Sequence, residues 1–341
     1  LIKMRIGIIG LGYVGLPLLI EFSKKYKVIG YDNNNKRLSD LKNNKDLNKE
    51  IKLKDFKILK KIKISNQISD LENCNIFVIT VPTPVNKSNK PDLSHLKKVC
   101  YTVSKILKKN DLVIFESTVF PGLTEDYCVK WLQVKNNLIY NKDFFCGYSP
   151  ERINPGDNKR TLTKIVKITS GSNPKIANKV DKLYKSIIKA GTFKAKSIKI
   201  AEAAKIIENC QRDVNIAFVN ELNNIFDKMN LNTNEILKAA STKWNFLNFK
   251  PGLVGGHCVG VDPYYLIDRS KKYKYLPKIL LNARKINEDV PKNISQNVNK
   301  ILKGNSNSKI IIFGFSFKEN CSDIRNTKIF KIYKILKKKY K

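Results

Sequence analysis

The sequence predicts an α/β fold: a doubly wound parallel sheet in the first part, a helical domain after it, and a short final α/β piece. Three observations carry this. Short apolar runs alternate with amphipathic stretches up to about residue 190. One helical run without Pro or Gly then spans Ser197 to Leu231. A glycine-rich loop at Gly252–Asp262 separates that run from a second helical zone at Pro277–Leu302.

Arg5–Ile9, Lys27–Tyr31, Ile76–Val81, Leu112–Phe115 and Phe144–Tyr148 read as buried strands, and the stretch around Lys164–Ser170 as one more. Strands separated by amphipathic segments are the pattern of βαβ units. From Ser197 the period changes. Ala204, Ile207, Val214, Phe218, Leu222, Ile225 and Met229 fall near helical spacing. Apolar residues on more than one face, Phe218 and Val219 among them, predict a helix that also packs against a partner subunit, hence a homodimer through the central helices. The last section, Lys309–Lys341, reads as one strand (IIIFGF) and one helix. A single βα unit cannot cover its own sheet face, so this is expected to be the start of a third domain cut short. The expected division is 1–195, 196–304 and 305–341.

At 341 residues, 42% hydrophobic and 28% charged, the chain can bury a sizeable core and is no disordered tail. No apolar run approaches the ~20 residues of a membrane helix. The apolar start, LIKMRIGIIGLGYVG, is interrupted by glycines and followed by no small-residue cleavage site, so it reads as strand and turn rather than signal peptide. The expected setting is cytoplasmic. Net charge is +36, yet only eight of the 65 basic residues are Arg, and the lysines are scattered among Asn and Ile. Without Arg clusters or stacking aromatics on a basic stripe, nucleic acid is not the expected partner. Attraction to phosphorylated metabolites remains.

The seven cysteines (74, 100, 128, 146, 210, 258 and 321) are odd in number and hold no C-x-x-C pair. With only His95 and His257 beside them, no metal-ligand set is expected. Thiols in a reducing compartment are the expected state.

Gly10-Leu11-Gly12-Tyr13-Val14-Gly15 follows a strand and opens a helix, the arrangement that cradles a dinucleotide pyrophosphate at a helix N-terminus. Asp32, about twenty residues on, ends the next strand, where a carboxylate bonds ribose hydroxyls and repels a 2′-phosphate. That favours NAD over NADP, with Arg37 nearby as the contrary sign. Thr83 in VPTP, and Ser117 and Thr118 in EST, follow predicted strands. There their hydroxyls either meet the cofactor or a water, or cap helices. Glu151 and Arg152 lie in a loop dense in charge and proline. Lys205, Asn209 and Arg212 share one helical face, toward either a cleft or solvent. In GGHCVGVD, glycines leave the Cys258 thiol accessible and Asp262 follows four residues later. This cysteine is either a thiolate nucleophile or a buried structural thiol.

Taken in order, IGLGYVGLPL, VPTP, EST, PER, AKIIEN, GGHCVGVDP and GFSFKENCSDIR resemble the nucleotide-sugar 6-dehydrogenases, the UDP-glucose/GDP-mannose dehydrogenase family. SPERINPGD, ENCQRDVNIAFVNEL and KWNFLNFKPGLVGGHCVGVDPYYL look most like its UDP-N-acetyl-glucosamine/galactosamine branch, whose products feed surface polysaccharides. The resemblance implies a Rossmann domain, an all-α central dimerisation domain and a UDP-binding domain, here truncated. The absence of an initiator Met agrees with a fragment.

By resemblance, Cys258 is the nucleophile and Asp262 orients water. Lys205 and Asn209 are catalytic and meet substrate, and Glu151 and Thr118 complete the catalytic set. The implied cofactor contacts are Gly10, Gly12, Tyr13, Val14, Gly15, Asp32, Arg37, Thr83, Ser117, Thr118 and Arg325. The implied substrate contacts add Arg152, Ile153, Arg212, Gly255, Phe317 and Lys318. Two departures matter. Pro155 stands where UDP-glucose enzymes carry a second acid, and Thr242-Lys243-Trp244-Asn245 lacks the His and Arg of the N-acetyl-mannosamine branch. The implied activity is NAD-dependent, four-electron oxidation of the C6 hydroxyl of a UDP-N-acetyl-hexosamine. The alternatives are the UDP-glucose or UDP-N-acetyl-mannosamine enzyme, or an inactive NAD-binding homologue.

Overall fold

A computed structural model describes residues 4–47, 50–153, 160–256, 258–316, 324 and 326–340. Eight strands form one sheet: β1 Arg5–Ile9, β2 Lys27–Tyr31, β3 Lys63–Ser65, β4 Ile76–Ile79, β5 Leu112–Phe115, β6 Phe145–Tyr148, β7 Lys167–Gly171 and β8 Thr192–Lys194. Their order is β3-β2-β1-β4-β5-β6-β7-β8, parallel except where β6 meets β7. The chain winds outward in both directions from the β1–β4 boundary, and such a switch point is where ligands bind in open α/β sheets.

Helices cover both faces: α1 Gly15–Ser23, α2 Asn35–Lys42, α3 Leu53–Leu59, α4 Ser94–Ser104, α5 Val129–Leu132 and α6 Pro174–Lys185. Burial on both faces explains why the central strands read as continuous apolar runs. Ile6, Ile8, Ile76, Val78, Leu112 and Ile114 pack on one side with Leu16, Leu19 and Val180. Phe77, Ile79, Val113 and Phe115 are also fully buried. The helix starts follow local chemistry. Asn34 caps α2 by accepting from the Arg37 N–H, and Asn173 caps α6 just before Pro174.

The chain divides into two compact units, residues 1–206 and 207–341. Helix α7, Ile198–Lys228, carries it from the first into the second. The second unit adds α8 Thr233–Ala240, α9 Asp262–Lys272, α10 Lys278–Ile301 and α11 Ile329–Leu336. Its interior holds a polar cluster among buried apolar residues such as Val219, Tyr265 and Ile267. Asp213 on α7 pairs with Arg284 on α10 at 3.1 Å, and Asn287 donates to Asp213 at 2.7 Å and accepts from Asn220 at 2.8 Å.

Two features depart from the sequence reading. The strands β3 and β8 were not visible, because three-residue edge strands carry no alternation long enough to recognise. Residues 310–315 pair with no strand among the described residues, and Ile311 and Phe313 are 75% and 90% exposed. An extended segment without a ladder partner leaves its backbone groups to water. Among the described residues helix α11 covers no sheet; Ile332, Leu336 and Tyr340 pack instead with Val298 and Leu302 at the end of α10. On α7, Ile207, Phe218 and Ile225, with Met229 just past its end, are 46–58% exposed, so that stripe is unburied within the chain, while Val219 on another face is buried. No helix among the described residues is long and apolar enough to cross a membrane.

Glu202, in the second turn of α7, is wholly buried and accepts from the N–H groups of Gly122 (2.5 Å) and Thr124 (3.0 Å). Burial pushes its carboxyl up to about 7, against the pull of those bonds. The folded protein thus binds this proton more tightly than the unfolded chain, and ionisation works against folding as pH rises from about 4.5 to 7. Wild type should lose up to about 3 kcal/mol of stability relative to Glu202→Gln over that interval. Urea denaturation across the pH series measures this, and parallel curves for the two proteins would exclude it.

Candidate active site

The loop between β1 and α1 is held by close approach. Gly10 has φ +97° and donates to the Tyr31 carbonyl at 2.8 Å. A Cβ on Gly15 would lie 1.8 Å from the Gly10 oxygen, so no other residue fits there without moving the helix. Thr80 locks the turn from β4, its hydroxyl donating to the Gly10 carbonyl at 2.7 Å. Gly12 is different: a Cβ there would meet nothing within 4 Å. Its openness at the amino end of α1 suits the approach of a pyrophosphate, so the residues present fit NAD. Tyr13 and Val14 are half-buried beside it.

Asp32 directly follows β2. Oδ2 accepts from the Leu11 N–H and Oδ1 from the Asn34 N–H, each at 2.8 Å. The carboxylate thus ties the second strand to the glycine turn and keeps lone pairs for ribose hydroxyls. Arg37 is committed elsewhere. Its Nε donates to the Leu11 carbonyl at 2.8 Å and Nη1 pairs with Asp46 at 2.7 Å, so the guanidinium braces the same loop.

The hydroxyls after β4 and β5 cap no helix. Thr83 donates to the Thr118 carbonyl at 2.7 Å and Ser117 to the Val81 carbonyl at 2.6 Å, stitching the two loops together. Thr118 itself is half-buried. Glu151 follows β6 with its side chain 11% exposed. Its Oε1 accepts from the Arg152 N–H at 2.5 Å and from the Ile153 N–H, and its Oε2 faces the ammonium of Lys167 at 3.4 Å. Arg152 reaches back to the Val166 carbonyl at 3.0 Å.

On α7, Lys205 and Asn209 stand one turn apart and both are buried, whereas Arg212 is exposed. The stripe seen in the sequence is therefore split between an interior part and a solvated end. Within the second unit, Asn209 Nδ2 donates to Asp262 Oδ2 at 2.5 Å. Asp262 is 2% exposed and opens α9, and its N–H donates to the Cys258 carbonyl at 2.8 Å. The Cys258-to-Asp262 turn is thus one hydrogen-bonded unit oriented by Asn209. Gly256, with φ +79°, allows the loop to bend before it, and Gly255 is half-buried.

Cysteine environments separate the roles. Cys74, Cys100, Cys128, Cys146 and Cys210 are buried, while Cys258 is partly exposed. Burial, with Asp262 and Asp213 nearby, pushes the Cys210 thiol up to about 12, which keeps it protonated and inert. Phe317, Lys318 and Arg325, and also Pro155, His257 and Cys321, lie outside the described residues.

Two supporting residues escaped the sequence reading. Asn220 clamps Gly252 from both sides, accepting its N–H at 2.8 Å and donating to its carbonyl at 3.0 Å, which anchors the base of the cysteine loop. Lys167 faces Glu151. An Asn in a helix interior and a Lys in a strand were the available signals, and neither is specific by itself.

Asp32→Asn should weaken NAD binding 10- to 100-fold, since charge-assisted hydrogen bonds contribute about 1.5–3 kcal/mol each. It should also reduce discrimination against NADP. Titration calorimetry with both dinucleotides tests this; unchanged affinity for both would remove Asp32 from the cofactor site.

Comparison with known proteins agrees with this geometry. Residues 4–188 match the NAD binding domain of the UDP-glucose/GDP-mannose dehydrogenase family, and residues 199–289 match its central domain. A UDP-N-acetyl-D-glucosamine 6-dehydrogenase of Salmonella typhi is 51% identical over 340 residues, covering 98% of this chain and 80% of that protein. Protein CapL of Staphylococcus aureus is 49% identical, covering 98% of this chain and 79% of CapL. Among solved structures, the UDP-D-ManNAc dehydrogenase of Pyrococcus horikoshii superimposes with a TM-score of 0.91 at 33% identity, covering 99% of this chain and 82% of that one. With its dinucleotide cradle in the first unit and its cysteine loop in the second, the chain belongs to the UDP-glucose/GDP-mannose dehydrogenase family and is an NAD-dependent dehydrogenase of nucleotide sugars.

Proposed function

We propose that this protein oxidises the C6 hydroxyl of a UDP-N-acetyl-hexosamine to the uronic acid, for surface polysaccharide synthesis. The observation that carries the chemistry is the accessible Cys258, set in a glycine loop and bonded through its carbonyl to the N–H of Asp262. Support for the substrate comes from the relatives. Two UDP-N-acetyl-D-glucosamine 6-dehydrogenases are 51% and 49% identical to this chain, whereas the UDP-N-acetyl-D-mannosamine dehydrogenases compared are 31–35% identical.

NAD, when bound, accepts the hydrides of both oxidations. The chain's own residues do the rest. Lys205 takes the proton of the C6 hydroxyl or stabilises the oxyanion, with Asn209 as a second donor. Cys258, as thiolate, adds to the C6 aldehyde and holds it as a thiohemiacetal, so that no free aldehyde escapes. Oxidation of that adduct leaves a thioester. Glu151, Thr118 and Asp262 then serve the water that releases the acid. Asn209 keeps Asp262 in one orientation for this task. Glycine loop, Asp32 and the loops bearing Thr83 and Ser117 hold the cofactor.

Cys258→Ser keeps a nucleophile but makes an ester, which hydrolyses slowly because an alkoxide leaves less readily than a thiolate. A burst of NADH, then near-zero turnover, and a sugar attached at residue 258 in intact mass spectrometry are expected. Full uronate production by Cys258→Ala would show the cysteine to be structural. Rates on UDP-N-acetyl-glucosamine, UDP-N-acetyl-galactosamine, UDP-N-acetyl-mannosamine and UDP-glucose decide the substrate, and an equal or better rate on UDP-glucose would overturn the assignment.

We also propose a homodimer through the central helices, in the cytoplasm, where reduced thiols persist. The exposed stripe of Ile207, Phe218, Ile225 and Met229 supports it, because apolar surface of this extent on one helix costs free energy in water. Light scattering should give a dimer mass for wild type and a monomer for Phe218→Asp; a monomeric wild type would count against the interface.

A further inference from the structure

The first unit buries charges that the dinucleotide cradle does not use. Lys167 and Glu116 are 3% and 1% exposed, and the ammonium lies 2.5 Å from Glu116 Oε2. Tyr184 donates to the other oxygen of Glu116, and its ring lies beneath the Lys167 ammonium at 5.4 Å. A buried ammonium needs one carboxylate to be tolerated, and Glu116 supplies it. Lys167 nevertheless also faces Glu151, at 3.4 Å.

Sheet topology explains the meeting. Glu116 follows β5 and Glu151 follows β6, at the carboxyl edge where ligands bind. Lys167 opens β7, and the register Tyr148–Ser170 continues toward Glu151 opposite Lys167 because β7 runs antiparallel to β6. A parallel β7 would have put its first residue at the far edge of the sheet. Glu151 is then held from two directions. The Arg152 and Ile153 N–H groups bind Oε1 and Lys167 faces Oε2, so the carboxylate plane has no freedom to turn.

We propose that Lys167 is a positioning residue for thioester hydrolysis: it fixes the Glu151 carboxylate, while Glu116 balances its charge. This rests on the role given to Glu151 above. Burial raises the Glu116 carboxyl to about 7, against the lowering by Lys167 and the Tyr184 hydroxyl.

The test compares Glu151→Gln with the double variant Lys167→Met/Glu116→Gln, which removes the buried ion pair together and leaves Glu151 held only by the Arg152 and Ile153 N–H groups. Both should keep wild-type NAD affinity and a full-sized NADH burst. Steady-state uronate formation should fall at least tenfold, with acylated Cys258 accumulating in intact mass spectrometry. Combining all three substitutions should lose nothing further, and Lys167→Arg should recover most of the hydrolysis rate. If the double variant hydrolyses normally while Glu151→Gln is slow, the Lys167 proposal falls and the role of Glu151 stands. Loss of burst and hydrolysis together in the double variant also overturns it, since a merely structural lysine acts that way. If Glu151→Gln itself hydrolyses normally, the assignment of Glu151 falls and takes this one with it.

Discussion

The fold turns on one steric constraint, the approach of α1 to the end of β1. A Cβ at Gly15 would sit 1.8 Å from the Gly10 carbonyl, and that carbonyl also accepts the Thr80 hydroxyl. Because the helix packs this tightly, its first N–H groups open directly above the β1–β4 boundary, where the strand order reverses. Asp32 and Arg37 fasten the loop from the second strand and helix, through the Leu11 N–H and carbonyl respectively. The cradle is thus held by backbone contacts, the Thr80 hydroxyl and two charged side chains, and a dinucleotide meets it already formed.

A second theme is how the interior tolerates charge. Lys167 has Glu116 and Glu151, Arg284 has Asp213 and Glu288, and Glu202 takes two backbone N–H groups. Burying an ion alone is costly, and breaking such a pair costs more than the pair ever contributes. These groups therefore act as constraints on geometry more than as sources of stability. In the second unit the same logic reaches the cysteine loop. Asn220, bonded to Asn287, grips Gly252, and Asn209 grips Asp262.

Surface chemistry follows a different rule. The +36 charge resides in lysines dispersed over the chain, while the exposed apolar stripe of α7 is ordered along one helical face. Periodicity detects such a stripe but does not say which side it faces. A residue buried in a core and one reserved for a partner follow the same spacing.

What the sequence by itself determined is local and covalent in scale. The glycine spacing at Gly10, Gly12 and Gly15, the carboxylate at Asp32, the runs of the central strands and the span of α7 were all legible, because each depends on neighbours within a few residues or on a strict steric demand. Tertiary structure decided the rest. It divided the stripe of Lys205, Asn209 and Arg212 into buried and exposed parts, turned Arg37 onto Leu11 and Asp46, and left residues 310–315 without a ladder among the described residues. It also reversed β7, which brings Lys167 to Glu151. Each of these depends on which distant segment lies alongside, and hydrogen-bond ladders, ion pairs and burial are settled only when that neighbour is in place.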